Sequence, residues 1–530
     1  MTPPKGQRVS ARATGIVAIA VMCSRLLGLV REQVFAGLFG AGKNLDAFLM
    51  AFRVPNLLRD LFAEGALSTA FITTFSKRIA TEGDQSAWRL ANKVATLTAV
   101  FISVVTLAGM VFAPQLIGLM TWWSWSPEKT ELTILLTRIM WPFILLVSLA
   151  ALVMGILNAK HVFGAPAMAS TYFNLGSIIA GVAVGWWLDP RFGARSLVGL
   201  SIGTLVGGAW QLAAQFPALS RIGYRYRPDL DWKDPGVRTV LSLMGPAVIA
   251  ASAVQVNVLV NSGFAARLGD GPVSWLNIAF RLMQLPLGIF GVAVGTVTLP
   301  LVSRSAAVGD IAGFRAALAH ALRLVFLLTI PAAVGLMILA RPIIAVIYQH
   351  GRFSSDSTGQ TAAALQFYAI GLTWYAAVKV LAPAFYALDR RYLPMVVSVL
   401  SIATNFALNW FFMMKLQLGH RGLALSTSIV AFTNFLLLYV MMLRYSGGLE
   451  TMRLLGLVAK LVVAAAVLAA MSWAGLAILG PPLPLWRKAI NLGLVISSAG
   501  IAFFAVAFML RVDEVREVFT LIRKRLVRAA

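Results

Sequence analysis

The sequence predicts an all-α integral membrane protein of about fourteen transmembrane helices, with two pseudo-symmetric six-helix lobes and two C-terminal helices. Three observations predict it. The 530-residue chain is 59% hydrophobic and 12% charged, whereas soluble domains are about 45–50% apolar and about 25% charged. Apolar runs of about 20 residues, enough to cross a bilayer, recur from end to end. Short sequences from the first half also return in the second half.

The apolar runs give fourteen predicted spans separated by short loops, many of which contain glycine or proline. The spans lie near residues 14–39, 45–77, 90–114, 132–157, 165–188, 195–217, 237–265, 273–303, 314–340, 360–386, 393–414, 422–443, 455–479 and 488–510.

An internal repeat relates the two halves of the chain. Ala51-Phe52-Arg53 returns as Ala279-Phe280-Arg281, and Ala159 and Pro166 return at the same offset as Ala387 and Pro394. A unit of six spans enters the membrane the same way up in both copies, which predicts a parallel repeat with a cavity between the lobes. The predicted parts are a cytoplasmic N-terminus (1–13), an N-lobe (14–222), a C-lobe (223–445), two further helices (446–510) and a basic cytoplasmic tail (511–530).

The basic residues predict the orientation of the chain. Lys and Arg are concentrated in alternate loops, and the positive-inside rule then places both termini in the cytoplasm. The formal net charge of +25 could suggest a nucleic-acid partner. However, the charges lie in short loops and within helices rather than on one basic face, so no nucleic-acid partner is expected.

Charged residues within apolar spans mark the candidate functional site. Arg25 and Arg31 lie in the first span, and Arg53 and Arg59 lie in the second around Pro55. An arginine at bilayer depth costs from about 2.5 kcal/mol upward, so four of them predict a water-filled cavity. Guanidinium groups bind phosphate oxygens in a bidentate manner, which makes a diphosphate headgroup a natural ligand. The repeat adds Arg281 to this set.

Alternative roles exist for these charges. The arginines could form structural ion pairs with nearby carboxylates, namely Glu32, Asp46, Asp60 and Glu64. Asp46 could be the N-cap of the second span, or it could lie at a gate and contact Arg25 or Arg59 in one conformation. Outside this region, we expect Arg323 to lie near a helix end and to reach the headgroups.

Further polar and small residues supply candidates for gating and ion binding. Gly295 lies in a span rich in small residues, which permits bending. The amide pairs Asn257/Asn261 and Asn405/Asn409 have a spacing of four residues, so each pair shares one helix face. Such amides could bind a cation, and interhelical hydrogen bonding is the alternative. Trp122, Trp123 and Trp125 are expected to anchor a loop at the membrane interface.

Enzymatic function is not expected. The four histidines, His161, His320, His350 and His420, fall in separate segments, and the sequence contains no Ser-His-Asp arrangement and no glycine-rich phosphate loop. A transporter without a cofactor is the better interpretation. Since there is no nucleotide-binding motif, its driving force would be the membrane potential or an ion gradient.

Motifs in consistent order resemble the MurJ/MviN family of lipid II flippases, which belongs to the MOP exporter superfamily. The resemblance extends from about residue 13 to residue 440. It rests on Ser24-Arg25-Leu26-Leu27-Gly28 with Arg31, Asp46-Ala47-Phe48, Pro55-Asn56-Leu57-Leu58-Arg59, Phe62-Ala63-Glu64-Gly65-Ala66, Gly245-Pro246-Ala247, Arg281-Leu282-Met283 and Lys379-Val380-Leu381-Ala382-Pro383.

The resemblance implies a flippase of the bacterial inner membrane that moves the undecaprenyl-pyrophosphate-linked peptidoglycan precursor outward. Separately from the resemblance, we expect the chain to be a monomer. Matching positions are Arg25, Arg31, Arg59 and Arg281 as cavity arginines, with Asp46, Asn56 and Glu64 as further polar positions. Ser24 and Arg53 lie beside them in sequence. The last two spans would hold the polyprenyl tail. The alternatives are another MOP-superfamily exporter, for a polysaccharide-repeat lipid or a drug, and a non-transporting cell-wall scaffold.

Overall fold

A computed structural model of the chain describes residues 11–61, 67–390, 392–480 and 484–517. Every regular element in these ranges is helical, which confirms the predicted all-α class. The contacts divide the chain into two units, Met1–Gly271 and Pro272–Ala530.

The first unit contains the helices up to residue 266. They are α1 (Ala11–Phe39), α2 (Lys43–Leu58), α3 (Ser68–Glu82), α4 (Asp84–Val111), α5 (Ala113–Thr121), α6 (Pro127–Met140), α7 (Phe143–Ala159), α8 (Gly164–Leu188), α9 (Ser196–Ala213), α10 (Phe216–Arg221) and α11 (Pro235–Ala266). The helix α11 corresponds to the first span of the predicted C-lobe, yet its contacts place it in this unit.

The second unit begins at Pro272. Its helices are α12 (Pro272–Pro286), α13 (Val292–Ala307), α14 (Ile311–Tyr348), α15 (Ser355–Ala387), α16 (Tyr392–Trp410), α17 (Gly419–Ser446), α18 (Thr451–Gly475) and α19 (Leu485–Met509). Two π-helical segments, Leu287–Gly291 and Phe411–Lys415, extend α12 and α16. The first follows directly after Pro286, the last residue of α12.

Eleven helical segments among the described residues are long and apolar enough to cross a membrane. Each coincides with one of the predicted spans; for example, the span predicted at 165–188 is the helix Gly164–Leu188. The three other predicted spans coincide with α1, with α2 and α3 together, and with α11. The exact count of fourteen transmembrane helices stays a prediction.

Glycines bring α8 and α9 into close contact. A methyl group added at Gly203 would lie 2.4 Å from the Cα of Gly181, and one added at Gly199 would lie 2.2 Å from the backbone nitrogen of Gly185. Only residues without a side chain permit two helix backbones to approach so closely. The helix α1 packs on α8 in turn.

A buried arginine in the second unit corrects one expectation. Arg323 does not reach the headgroups: its Nε donates to Glu514 Oε1 and its Nη1 donates to Glu450 Oε2, both at 2.6 Å. Only 10% of the Arg323 side chain is exposed. These ion pairs join α14 to the segment before α18 and to the chain after α19, because two carboxylates distant in sequence converge on one guanidinium group.

Candidate functional site

The first-span arginines lie on α1, next to α8. Arg25 is exposed and Arg31 is half-buried, with its guanidinium carbon 5.0 Å from the centre of the Phe173 ring. Directly before Arg25, the backbone oxygen of Ser24 accepts a hydrogen bond of 3.1 Å from Asn174 Nδ2. Arg25 forms no ion pair with a residue that the structure describes. Its charge is therefore open to a ligand.

Arg59 lies in a polar group at the end of α2. Its Nη2 and Nε donate to Asp60 Oδ1 at 2.9 and 3.2 Å. The other oxygen of Asp60 accepts from Asn56 Nδ2 at 3.5 Å and from Gln255 Nε2 at 3.4 Å. The ion-pair alternative thus applies to Arg59 in this conformation. Glu64, predicted on the same face, lies outside the described residues.

Pro55 does not end the second helix. The helix α2 continues through the buried Pro55 to Leu58, and the backbone then becomes π-helical at residues 59–61. The half-buried Arg53 lies one turn before Asn56. This wider turn lies about one helical turn after Pro55 and places Arg59 and Asp60 in irregular helix.

The candidates in the second unit are Arg281 and Gly295. Arg281 is half-buried in α12. Gly295 lies in α13 and lines a small groove with Thr298 and Pro383. A Cβ at Gly295 would lie 3.4 Å from the backbone oxygen of Lys379 in α15. A methyl group at this position would thus make ordinary van der Waals contact with α15.

Asp46 is fully buried and belongs to an ionic cluster that the sequence analysis missed. Its Oδ2 accepts from Gly271 N at 2.7 Å and from Lys129 Nζ at 3.4 Å. Lys129 also donates to Asp270 Oδ1 at 2.7 Å, and its Nζ lies 3.9 Å from the centre of the Trp125 ring. We call these residues (Asp46, Trp125, Lys129, Asp270 and Gly271) the Asp46 cluster. It joins α2, α6 and the turn after α11.

Two expectations about this cluster were wrong. Asp46 is not the N-cap of the second span, because the helix begins at Lys43 and its N-cap residue is Gly42. Trp125 is not an interfacial anchor, because it is buried and its Nε1 donates to the backbone oxygen of Ala266 at 2.8 Å. Trp123, in contrast, is exposed. The contact of Asp46 with Arg25 or Arg59 in another conformation stays a prediction.

The amide pair of α16 forms hydrogen bonds within the protein. Asn409 Nδ2 donates to Asn405 Oδ1 at 2.8 Å, and Ser426 of α17 donates to Asn409 Oδ1. Both asparagines are fully buried. Each amide oxygen thus accepts one hydrogen bond, and the bond from Ser426 to Asn409 joins α17 to α16, which is the interhelical role. The buried Oδ1 of Asn257, in α11, has no hydrogen-bond partner among the described residues.

A second ionic cluster fixes the start of α11. Asp234 is the N-cap residue of α11, and its Oδ1 accepts from Gly236 N at 2.7 Å. Arg78 Nη1 of α3 and Lys93 Nζ of α4 donate to its two oxygens, both at 2.9 Å. Burial by itself raises the pKa of Asp234, but these three donors outweigh burial and hold the pKa well below its usual range. We call Arg78, Lys93 and Asp234 the Asp234 cluster.

Comparison with known proteins now decides the family. Residues 35–482 match the sequence profile described as "Lipid II flippase MurJ". A protein of Vibrio cholerae serotype O1 named "Probable lipid II flippase MurJ" is 36% identical over 436 residues, which is 80% of this chain and 81% of the relative. "Lipid II flippase MurJ" of Burkholderia cenocepacia is 35% identical over 434 residues, which is 81% of this chain and 83% of the relative. The chain belongs to the MurJ family.

Solved structures agree with this assignment. A structure titled "Lipid II flippase MurJ, inward closed conformation" superposes with a TM-score of 0.77 at 26% identity and covers 93% of this chain and 98% of its own. An inward-facing multidrug resistance MATE transporter of the MOP superfamily superposes with a TM-score of 0.66 at 15% identity and covers 83% of this chain and 98% of its own. The latter likeness shows the fold alone.

Membership in the MurJ family confirms the predicted class of protein. The family is one of lipid flippases, which are transporters and not enzymes. Together with the eleven apolar helices, it makes the chain a multi-pass protein of the bacterial inner membrane.

The basic partners in both clusters, Lys129 in one and Arg78 and Lys93 in the other, were not predicted from the sequence. One indication was available: Lys129 and Asp270 flank spans that end on the same predicted side of the membrane. However, the sequence contains many such pairs, and nothing in it selects this one.

Proposed function

We propose that the chain carries lipid II from the inner to the outer leaflet by alternating access, and that Arg25, Arg31, Arg59 and Arg281 bind its diphosphate. The observation that carries this proposal is Arg25. It is an exposed guanidinium group within an apolar helix, and no described carboxylate neutralises it. A permanent charge so placed is costly unless it has a function. The relatives named as lipid II flippases supply the substrate class.

The pairing of Arg59 with Asp60 is compatible with this role. About a quarter of the Arg59 side chain and about a third of the Asp60 side chain are exposed, at 24% and 31%. A partly hydrated ion pair is weak, so a diphosphate can replace the carboxylate at Arg59. A diphosphate also offers two oxygens to one guanidinium group, whereas Arg59 now contacts a single carboxylate oxygen of Asp60. Release of the substrate would restore the Arg59–Asp60 pair.

We assign supporting roles to the neighbouring polar residues. Ser24, Arg53 and Asn56 would contribute further contacts to the headgroup. Asp46, Pro55, Glu64 and Gly295 would act in gating. For Asp46, the support is its buried cluster, which joins three parts of the first unit and must break if they separate. For Pro55, it is the irregular helix that follows.

The coupling force in this proposal is the membrane potential or an ion gradient. Moving one elementary charge through 100 mV supplies about 2.3 kcal/mol. Asn257, Asn405 and Asn409 are our candidates for an ion site. A cation there would have to displace the hydrogen bonds that Asn409 and Ser426 now donate. Both termini would lie in the cytoplasm, and the chain would act as a monomer.

Complementation tests the proposal. Cells depleted of the chromosomal protein would carry Arg25→Ala, Arg59→Ala or Arg281→Ala, and lipid II in the inner leaflet would be measured. We expect lipid II to accumulate in each case. Arg25→Lys keeps the charge but loses the bidentate geometry, and an intermediate level is expected.

Arg304→Ala is the matched control, because Arg304 is an exposed arginine at the end of α13. It should complement fully at equal expression. Full complementation by all three alanine variants would overturn the arginine proposal. It would favour the non-transporting scaffold instead.

A further inference from the structure

The loop between α10 and α11 separates its charges by sign. We call residues 222–234 the α10–α11 loop. Of its three acidic residues, Asp231 and Asp234 contact α4, where Lys93 Nζ lies 2.8 Å from Asp231 and 2.9 Å from Asp234. These two carboxylates are neutralised by cations of the helices beneath the loop. The half-buried Asp229 forms no ion pair with a described residue, so it alone is left to offset the basic residues of the loop.

The basic residues of the loop face outward. Arg225, Arg227 and Lys233 are all exposed, and none forms an ion pair with a described residue. Three cations within nine residues, offset by the single carboxylate of Asp229, give the outer surface a net positive charge. Such a surface attracts anions. Its three basic side chains form no ion pair with the described part of the protein, so ion pairing within the fold does not account for them.

Large apolar side chains share this outer surface. Leu230 is 58% exposed and Trp232 is 61% exposed, and the Lys233 ammonium lies 5.8 Å from the centre of the Trp232 ring. Tyr226 is 51% exposed, while its hydroxyl is held by Thr96 at 2.9 Å. Tryptophan and tyrosine beside basic residues are typical of the membrane–water interface.

Hydrogen bonds join the loop to α4. Tyr224 is buried, and its hydroxyl donates to Asn92 Oδ1 at 2.7 Å. The backbone nitrogen of Asp229 donates to Thr96 Oγ1 at 3.1 Å. Because α4 supplies both partners, the loop is fixed at the end of a membrane-spanning helix. The conformational entropy of the loop is therefore lost when the protein folds, and binding of a ligand does not have to order the outer surface.

We propose that the outer surface of the α10–α11 loop (Arg225, Tyr226, Arg227, Leu230, Trp232 and Lys233) binds the headgroups of anionic phospholipids. The cations would contact the phosphates, and Leu230 and Trp232 would enter the interfacial layer. Each basic residue near an anionic leaflet strengthens association about fivefold. This inference is independent of the proposed transport function, because none of these residues belongs to the candidate substrate site.

Quenching of tryptophan fluorescence by brominated lipids tests the inference. The full-length protein is placed in nanodiscs with equal fractions of brominated phosphatidylglycerol or brominated phosphatidylcholine. The fluorescence of Trp232 is obtained by subtracting the fluorescence of the Trp232→Phe variant from that of the wild type. We expect stronger quenching by phosphatidylglycerol. Arg225→Gln should lower the preference about fivefold, and Arg225→Gln/Arg227→Gln/Lys233→Gln should abolish it.

The control is Arg304→Gln, which removes one exposed cation elsewhere and should leave the quenching of Trp232 unchanged. If the triple variant fails to fold, the single variant and added salt serve instead, because salt should weaken the preference of the wild type. Equal quenching by both lipids would overturn the inference. So would a preference that survives Arg225→Gln and high salt.

Discussion

The Oδ2 atom of Asp46 lies 3.4 Å from the Nζ atom of Lys129, and the exposed fractions of the two side chains are 0% and 3%. The same two helices, α2 and α6, are joined a second time by Lys43 and Glu128, whose side chains are 33% and 81% exposed. One helix pair thus carries a buried ion pair and an exposed one.

This arrangement predicts unequal effects of two lysine substitutions. Lys129→Met leaves the buried Asp46 carboxylate without its ammonium partner and should destabilise the fold by about 3 kcal/mol. Lys43→Met removes an exposed pair and should cost less than about 1 kcal/mol. Thermal unfolding in detergent measures both. Equal midpoints for the two variants would contradict the interpretation of a buried pair.

The Asp234 cluster predicts a second graded effect. Asp234→Asn leaves Arg78 and Lys93 with one anionic acceptor fewer and should lower stability by about 2 kcal/mol. Asp231→Asn is the matched control, because Asp231 contacts only Lys93 of this pair and is 46% exposed. It should cost less than about 1 kcal/mol. A larger effect of Asp231→Asn would show that the exposed contact is the important one.

The lowered pKa of Asp234 predicts how stability depends on pH. A carboxyl group with a lower pKa in the folded chain stabilises the fold above its unfolded pKa, which is about 3.9 for Asp. The contribution is lost as the pH falls toward the folded pKa. The difference in unfolding midpoint between wild type and Asp234→Asn should therefore be constant from about pH 7 to about pH 5. Below about pH 5 this difference should become smaller. A difference that widens on acidification would contradict this sign.

The contact of α8 with α9 predicts a strong effect of a single methyl group. Gly203→Ala would place Cβ 2.4 Å from the Gly181 backbone, so the helices must separate. We expect a loss of about 3 kcal/mol in stability. Gly456→Ala in α18 is the control, since nothing lies within 4 Å of its Cβ. It should stabilise by up to about 1 kcal/mol, because alanine favours helix. Similar unfolding midpoints for the two variants would argue against close packing of α8 on α9.

Much of the fold could be predicted because the bilayer imposes one rule on every span. A crossing helix needs about 20 apolar residues, and that pattern is local. The break between α6 and α7 was not predicted: the apolar run at 132–157 is continuous, yet the helix is interrupted at Trp141 and Pro142. The π-helical segments were not predicted either. Such irregularities depend on what packs beside the helix.

The candidate site, like the fold, was predicted only in part from the sequence. The unusual arginines were visible in the sequence, because a charge within an apolar run is conspicuous by itself. Asp60, the partner of Arg59, was among the carboxylates named from the sequence, whereas the two carboxylates that bind Arg323 were not, because only folding brings them together. Arg59 lies beside its partner in sequence. Arg323 does not, and its predicted environment was wrong.

The sequence by itself determined the class of protein, the positions of the apolar helices, the family resemblance and the residues whose charge requires an explanation. Tertiary structure alone decided which lysine neutralises Asp46, which cations hold Asp234, and which face of the α10–α11 loop is basic. The physical reason is distance along the chain. Hydropathy is a property of neighbouring residues, whereas an ion pair joins groups that the chain brings together only when it folds.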